Sequence, residues 1–354
     1  MSKLRFGICG LGFMGRNHLA QVRGNPHAEV VAVCDRDARR RAGDWHDAVG
    51  NLNIAGAPDG RAALAGVTAY ATTEQLVADP RVDAVLIALP TPLHADVAVT
   101  ALHAGKHVLC EKPMAGCVAD CDRMLQAAAA TGRTLMIGQC IRFWPHYETI
   151  QRCIEDGRIG TVRFMTLRRL GRAPQWSAGN WLLDGRQSGG ALLDMHVHDV
   201  DFAQYALGLP EAILARGTRG PSGEFDHVSA LWSYAGGRYV TIEGGWVSAA
   251  PWGFEMEITV HGERGTLGWA LSRGENVLLD TGGAAPEALP ASGDAYARQL
   301  AYFVECVQAG RPVARCLPGS TRNSIALAWL ERRSIETGRL IGVSDRLRAA
   351  WDRK

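Results

Sequence analysis

Residues 10–15 read Gly-Leu-Gly-Phe-Met-Gly, directly after an apolar run, Leu4-Arg-Phe-Gly-Ile-Cys9, and at the start of a helix-like stretch from about Met14 to Arg23. Three glycines at this spacing between strand and helix leave few folds open. The first, Gly10, permits a tight turn; the second, Gly12, lets backbone approach a ligand; the third, Gly15, lets helix pack on strand. The first N–H groups of such a helix have no intrahelical acceptor, and the helix dipole makes them attractive to anions. A second apolar run, Glu29–Cys34, ends at Asp35, 20 residues beyond Gly15. An acid at that position accepts a hydrogen bond from a ribose hydroxyl, so the whole segment reads as a dinucleotide site. Asp35 repels a 2′-phosphate, which makes NAD the expected cofactor. Arg36, with Arg39, Arg40 and Arg41 close behind, keeps NADP as the alternative.

The remainder of the first half alternates strand and helix signals: Val67–Tyr70, Glu74–Ala78, Asp83–Leu89, His94–Ala104, His107–Cys110, Ala115–Thr131 and Thr134–Gly138. That rhythm predicts βαβ units, hence a doubly wound parallel sheet with helices on both faces. A helix is expected over Asp37–Val49, followed by a loop-like passage from Gly50 to Gly66. After a helix near Tyr147–Asp156 the pattern changes. Phe254–His261 is apolar at 254, 256, 258 and 260 and polar between, as in a sheet with one buried and one wetter face. Val162–Arg169, Ile213–Arg216, His227–Tyr234 and Arg238–Glu243 add further strands, and helices near Asp294–Ala309 and Ser320–Thr337 close the chain. The expected fold class is α/β: a Rossmann domain over 1–140, then an α+β domain over 141–354 with a large, open, mainly antiparallel sheet.

Composition narrows the function. The 354 residues carry 38 basic against 36 acidic side chains, a formal charge of +2, without the basic stripe that a nucleic-acid partner requires. No apolar run approaches a membrane span, and the N-terminus lacks a secretory h-region, so neither a membrane nor export is expected. The nine cysteines are scattered, with no C-x-x-C spacing. This suits a reducing cytoplasm and structural thiols.

Two further constellations carry chemistry. Ala88-Leu89-Pro90-Thr91-Pro-Leu-His94 and Gly105-Lys-His-Val-Leu-Cys-Glu111-Lys112-Pro113 leave consecutive parallel strands at their carboxyl ends, where open α/β sheets bind ligands. A lysine there can reach a substrate oxygen. In Gly189-Gly-Ala-Leu-Leu-Asp194-Met-His196-Val-His198-Asp199-Val-Asp201, a helix would put Asp194 and His198 four residues apart on one face. A carboxylate beside an imidazole is the pairing wanted in a general base. His196 and His198 form H-x-H, but side chains two apart on a helix diverge, so no metal site is expected. Trp144, Trp176 and Trp181 could offer aromatic platforms to sugar C–H faces or simply pack in the core.

Together, Gly10–Gly15, Ala88-x-Pro90-Thr91-x-x-His94, Glu111-Lys112-Pro113 and Gly190-x-x-x-Asp194-x-x-x-His198-x-x-Asp201 resemble the Gfo/Idh/MocA oxidoreductases, named for glucose–fructose oxidoreductase, inositol dehydrogenase and rhizopine catabolism. The resemblance implies a Rossmann domain, then a domain whose open sheet mediates dimers or tetramers. It also implies that Lys112, Asp194 and His198 match the family's catalytic lysine, aspartate and histidine. One departure is Leu89-Pro90-Thr91, where the family often has Thr-Pro-Asn. The cofactor-facing set expected is Gly10, Gly12, Phe13, Met14, Gly15, Asp35, Arg36, Leu89, Pro90, Thr91, His94, Glu111, Lys112 and Gln139. For substrate it is Lys112, Arg142, Trp176, Asp194 and His198. The expected activity is hydride transfer between NAD(P) and a secondary hydroxyl of a cyclic polyol or sugar. A redox-neutral sugar hydrolase or epimerase working through a keto-sugar, and a non-catalytic sugar or dinucleotide sensor, remain open.

Overall fold

The computed structural model describes residues 2–45, 60–246, 253–344 and 347. The chain divides by contact into two units, the first comprising Met1–Gln139, Gln175–Trp181 and Tyr296–Arg322, the second Cys140–Pro174, Leu182–Ala295 and Asn323–Lys354. The first long segment ends at Gln139, but two later segments return to the first unit, so neither unit is one continuous stretch.

The first unit is built on six strands: β1 (Leu4–Cys9), β2 (Ala28–Cys34), β3 (Thr68–Tyr70), β4 (Ala84–Ile87), β5 (His107–Glu111) and β6 (Leu135–Gly138). Their order is β3-β2-β1-β4-β5-β6 and every pairing is parallel. The sequence reverses direction across the sheet at β1 and β4, the switch point where such sheets bind ligands. Because both faces are covered, the central strands are apolar throughout: all four residues of β4 are buried. A helix from far along the chain, Ala295–Gln308, closes one face, setting Phe303 against Phe6 with ring centroids 6.0 Å apart.

The helix expected over Asp37–Val49 is cut short. Ala38–Arg41 is helical, with the Asp37 side chain accepting from the Arg39 N–H at its start. It stops because Gly43 takes φ +82° and its backbone runs against Gly60, so close that a Cβ on Gly43 would lie 2.5 Å from the Gly60 carbonyl carbon. The rest of that stretch, and residues 50–59 of the loop-like passage, lie outside the described residues.

The second unit contains β7 (Val162–Gly171), β8 (Ala212–Arg219), β9 (Phe225–Ser233), β10 (Tyr239–Trp246), β11 (Glu255–Gly262), β12 (Thr266–Ala270), β13 (Asn276–Asp280), β14 (Glu287–Pro290) and β15 (Ile341–Gly342). They form one sheet, ordered β14-β13-β12-β11-β7-β10-β9-β8-β15, antiparallel except where β10 runs parallel to β7. Four strands, β12–β15, match none of the strand patterns singled out in the sequence, being short or flanked by glycines. On one face Met165, Leu167, Val240, Ile242, Met256, Ile258 and Val260 are buried. On the other face, facing residues form three half-exposed rows. Tyr239, Phe164 and His261 stack; Thr241, Thr166 and Thr259 follow, Thr241 donating to Thr166 at 3.0 Å; then Glu243, Arg168 and Glu257, with Arg168 paired to Glu243 at 3.0 Å.

Candidate active site

The glycine motif does in three dimensions what its spacing implies. Gly10 has φ +92°, and a Cβ there would stand 2.4 Å from the Ala88 carbonyl oxygen; a Cβ on Gly15 would stand 1.8 Å from the Gly10 carbonyl oxygen. Both positions therefore exclude any side chain. Gly12 is different. The nearest atom to its would-be Cβ is Arg40 Nη1 at 3.9 Å, so its outer side is open. Gly12 caps the helix Phe13–Gly24, no side chain caps that helix start, and its first turn holds no acid. An anion is the natural complement of such a terminus.

Asp35, at the end of β2, is nearly buried. It accepts from the Leu11 N–H at 2.8 Å and the Asp37 N–H at 2.9 Å. The acid thus braces the glycine turn, and a carboxylate with two such bonds still has lone pairs for a hydroxyl. Of the neighbouring cations, Arg41 donates to the carbonyls of Asp35 and Arg36, and Arg39 pairs with Asp44 at 2.9 Å. Arg36 is exposed. The turn, the uncapped helix start and the acid together fit a dinucleotide.

Leu89 and Pro90 are half-buried beyond β4, and Thr91 is buried. His94 is not an open ligand: its ring lies between two carbonyls, Nδ1 2.9 Å from Pro113 O and Nε2 2.8 Å from Leu89 O. Burial lowers its pKa, so the neutral ring donates to one carbonyl and rests against the other, tying the two strand-end loops together. Glu111 is likewise occupied. Its Oε1 lies 2.6 Å from His18 Nε2, and Oε2 accepts the Lys112 N–H at 3.0 Å. Burial opposes its ionisation most strongly, yet the His18 hydrogen bond and the charges of His18 and Lys112 hold the carboxyl below its ordinary pKa. Lys112 itself is half-buried. Gln139, just after β6, is fully buried, and its amide has no hydrogen-bond partner among the described residues.

In the second unit, Asp194 lies in a π-helical turn, Leu192–His196, which runs straight into the α-helix Val197–Leu207 bearing His198. The expected helical face is present, with one wider turn in it; such turns recur at functional sites. Glycine on the sheet makes room for it: a Cβ on Gly244 would lie 2.7 Å from His196 Nδ1. The five titratable side chains here divide cleanly. His196 is 2.8 Å from Glu331, which also accepts from Trp232 Nε1 at 2.7 Å. Asp199 holds Arg169 through two bonds of 2.8 and 2.9 Å, and Asp201 holds Arg142 through two of 2.7 Å. All three are fully buried, whereas Asp194 and His198 are half-buried.

Arg142, expected at the substrate, is thus committed to the core: 2 % exposed, forked onto Asp201, its guanidinium carbon 4.7 Å from the Tyr205 ring centroid. Asp201 lies 59 residues away, so no local pattern marks it as the partner of Arg142. Trp176 is half-buried and belongs to the Gln175–Trp181 segment that groups with the first unit. The residue missed was His18. Its signal was a histidine three positions beyond Gly15 on the buried stripe of the first helix. Among the described residues no helix is long and apolar enough to cross a membrane.

A parallel sheet with this switch point, this glycine turn and this acid is the NAD-binding fold of an oxidoreductase. The chain belongs to the GFO/IDH/MocA family: residues 4–139 match its NAD-binding Rossmann domain and residues 147–268 its C-terminal domain. Among curated relatives, the inositol 2-dehydrogenase of Rhizobium meliloti (strain 1021) is 29% identical over 96% of this chain and 99% of its own length. The myo-inositol 2-dehydrogenase of Thermotoga maritima is 27% identical over 97% and 99%. An aldose-aldose oxidoreductase of Caulobacter crescentus, solved with glycerol, superposes with TM-score 0.81 over 96% of this chain and all of its own, at 24% identity, a likeness of fold.

Proposed function

We propose that this NAD-binding oxidoreductase oxidises a secondary hydroxyl of a cyclic polyol or sugar. The observation that carries the reading is the division along residues 194–201. Asp194 and His198, four residues apart along one helical stretch, are both half-buried, while His196, Asp199 and Asp201 beside them are fully buried. The full-length relatives named as inositol dehydrogenases support a polyol as the substrate class. Held by the Gly10–Gly15 turn and Asp35, NAD+ would supply the acceptor for the hydride of the carbinol carbon. His198 takes the hydroxyl proton on a ring nitrogen. The Lys112 ammonium donates to the same oxygen and stabilises its developing charge. Asp194 orients the His198 ring or holds a neighbouring hydroxyl, and Trp176 supplies an apolar face to the ring. Residues 1–140 are assigned to the cofactor, 141–354 to substrate and association. The test is NADH formation, read at 340 nm, with myo-inositol first in a panel of cyclic polyols and aldoses. No absorbance rise with any of them at either cofactor sinks the reading.

Cofactor choice is assigned to Asp35. Its replacement, Asp35→Ser, is expected to shift preference toward NADP, measured as the ratio of kcat/KM for the two cofactors. A wild-type protein that already prefers NADP by about tenfold, or ~1.4 kcal/mol, would overturn the assignment.

Association is assigned to the half-exposed face of the larger sheet. Its stacked aromatic row, threonine row and charged row offer a second copy of the chain both apolar and polar complements. A homodimer or homotetramer is expected by light scattering at micromolar protein; a monomer contradicts it. The nine cysteines are all free thiols, which suits the reducing cytoplasm proposed as its location.

A further inference from the structure

Lys112 stands between two residues that are each fastened by a different buried imidazole. On one side Glu111, the last residue of β5, shares its carboxylate between His18 Nε2 at 2.6 Å and the Lys112 N–H at 3.0 Å. On the other, His94 Nδ1 meets the Pro113 carbonyl at 2.9 Å while Nε2 reaches back to Leu89 at 2.8 Å. Both rings are 1% exposed. The His94 contacts are to backbone and would suit any loop. The His18 contact is different, because it places a buried carboxylate and a buried imidazole together, at a desolvation cost that an apolar pair of the same size avoids. His18 Nδ1 has no hydrogen-bond partner among the described residues, so Glu111 is the hydrogen-bond partner the ring has. Glu111 in turn faces Gly138 across the β5–β6 ladder. A Cβ on Gly138 would come within 3.4 Å of Glu111 Oε1 and of the buried Gln299 amide, so the carboxylate sits in a closely fitted place.

We propose that His18 and Glu111 are positioning residues: His18 fixes the Glu111 carboxylate, the carboxylate fixes the Lys112 backbone N–H, and the direction of the Lys112 side chain follows. The proposal rests on the reading of Lys112 as the residue that binds the substrate hydroxyl. A misplacement of about 1 Å at such a group costs up to ~100-fold in turnover, which is the loss expected for His18→Asn and Glu111→Ala. Glu111→Gln keeps an oxygen for the Lys112 N–H and is expected to recover most of it.

The chain has four lysines, Lys3, Lys106, Lys112 and Lys354, which permits a direct readout. Each lysine amine is 13C-methylated, and the Lys112 resonance is assigned by its loss in Lys112→Arg. Positioning predicts that His18→Asn and Glu111→Ala shift and sharpen the Lys112 signal and leave Lys106 unmoved, with Glu111→Gln close to wild type. An unchanged Lys112 signal overturns the proposal, as does a Lys106 signal that moves equally, which would mean general loosening. If His18→Asn does not fold, Glu111→Ala against Glu111→Gln makes the same comparison. The kinetic arm uses a double-mutant cycle with myo-inositol and NAD+. In a Lys112→Ala background, His18→Asn should cost less than about twofold more, whereas independent roles would multiply. Full additivity overturns the dyad. A Lys112→Ala protein with wild-type turnover would instead strike the proposed chemistry and leave the resonance shifts to decide the dyad.

Discussion

His198→Ala and Lys112→Ala are each expected to lower turnover by about 10²–10⁴-fold, the usual cost of removing a general base or its electrostatic partner, while NADH binds within a few-fold of wild type. The two residues come from different sequence regions with different architectures. Lys112 follows a strand of the parallel sheet, whereas His198 begins a helix that packs on the antiparallel one. Neither belongs to the glycine turn, so cofactor affinity is the internal control. The pH profile adds a second readout. A base must be unprotonated to accept the hydroxyl proton, so the oxidative rate should rise with pH through an ionisation that is absent in His198→Ala. Steady-state kinetics with NADH fluorescence titration measures all three quantities. Near-normal turnover in both variants would make this pair structural and return attention to a dinucleotide sensor.

Gly15→Ala is the second large effect. A methyl group there would stand 1.8 Å from the Gly10 carbonyl oxygen, a separation no pair of non-bonded atoms tolerates. The obstacle is backbone, and Gly10 is itself held at φ +92° with its own Cβ position 2.4 Å from the Ala88 oxygen, so the turn has nowhere to move. Overpacking of this kind costs up to about 3 kcal/mol or more. Drawn from the cofactor-binding conformation, that weakens NADH by roughly 100-fold. Gly12→Ala separates the two roles of the motif. Its Cβ would meet nothing closer than 3.9 Å, so the thermal midpoint should hold while NADH affinity falls, because the methyl intrudes where the ligand's phosphates approach. A Gly15→Ala protein with wild-type midpoint and affinity would mean that the turn relaxes freely, against its close backbone contacts.

These outcomes depend on parts of the chain that differ in how openly the sequence displays them. The glycine turn and Asp35 are local: their spacing is fixed by one strand, one turn and one helix, so sequence alone carries them. The Asp194–His198 pair is local too, since four residues along a helix stay on one face even through a wider π turn. Partners far apart in sequence were not legible. Arg142 is expected at the substrate because its partner Asp201 is 59 residues on, and no local pattern joins His196 to Glu331, 135 residues on. His18 was overlooked for the same reason, its partner Glu111 lying 93 residues away. The helix expected past Asp37 failed on a tertiary contact, the backbone approach of Gly43 and Gly60, which no local periodicity contains.

The most direct test of hydride transfer uses a cyclic polyol deuterated at its carbinol carbons, myo-inositol first, incubated with the protein and NAD+. Mass spectrometry then follows the label in both cofactor and substrate. One deuterium is expected in each NADH formed, together with the corresponding ketone, and loss of that transfer in His198→Ala and Lys112→Ala. Deuterium that never leaves the polyol across the substrate panel, in a protein shown by titration to bind NADH, would contradict it.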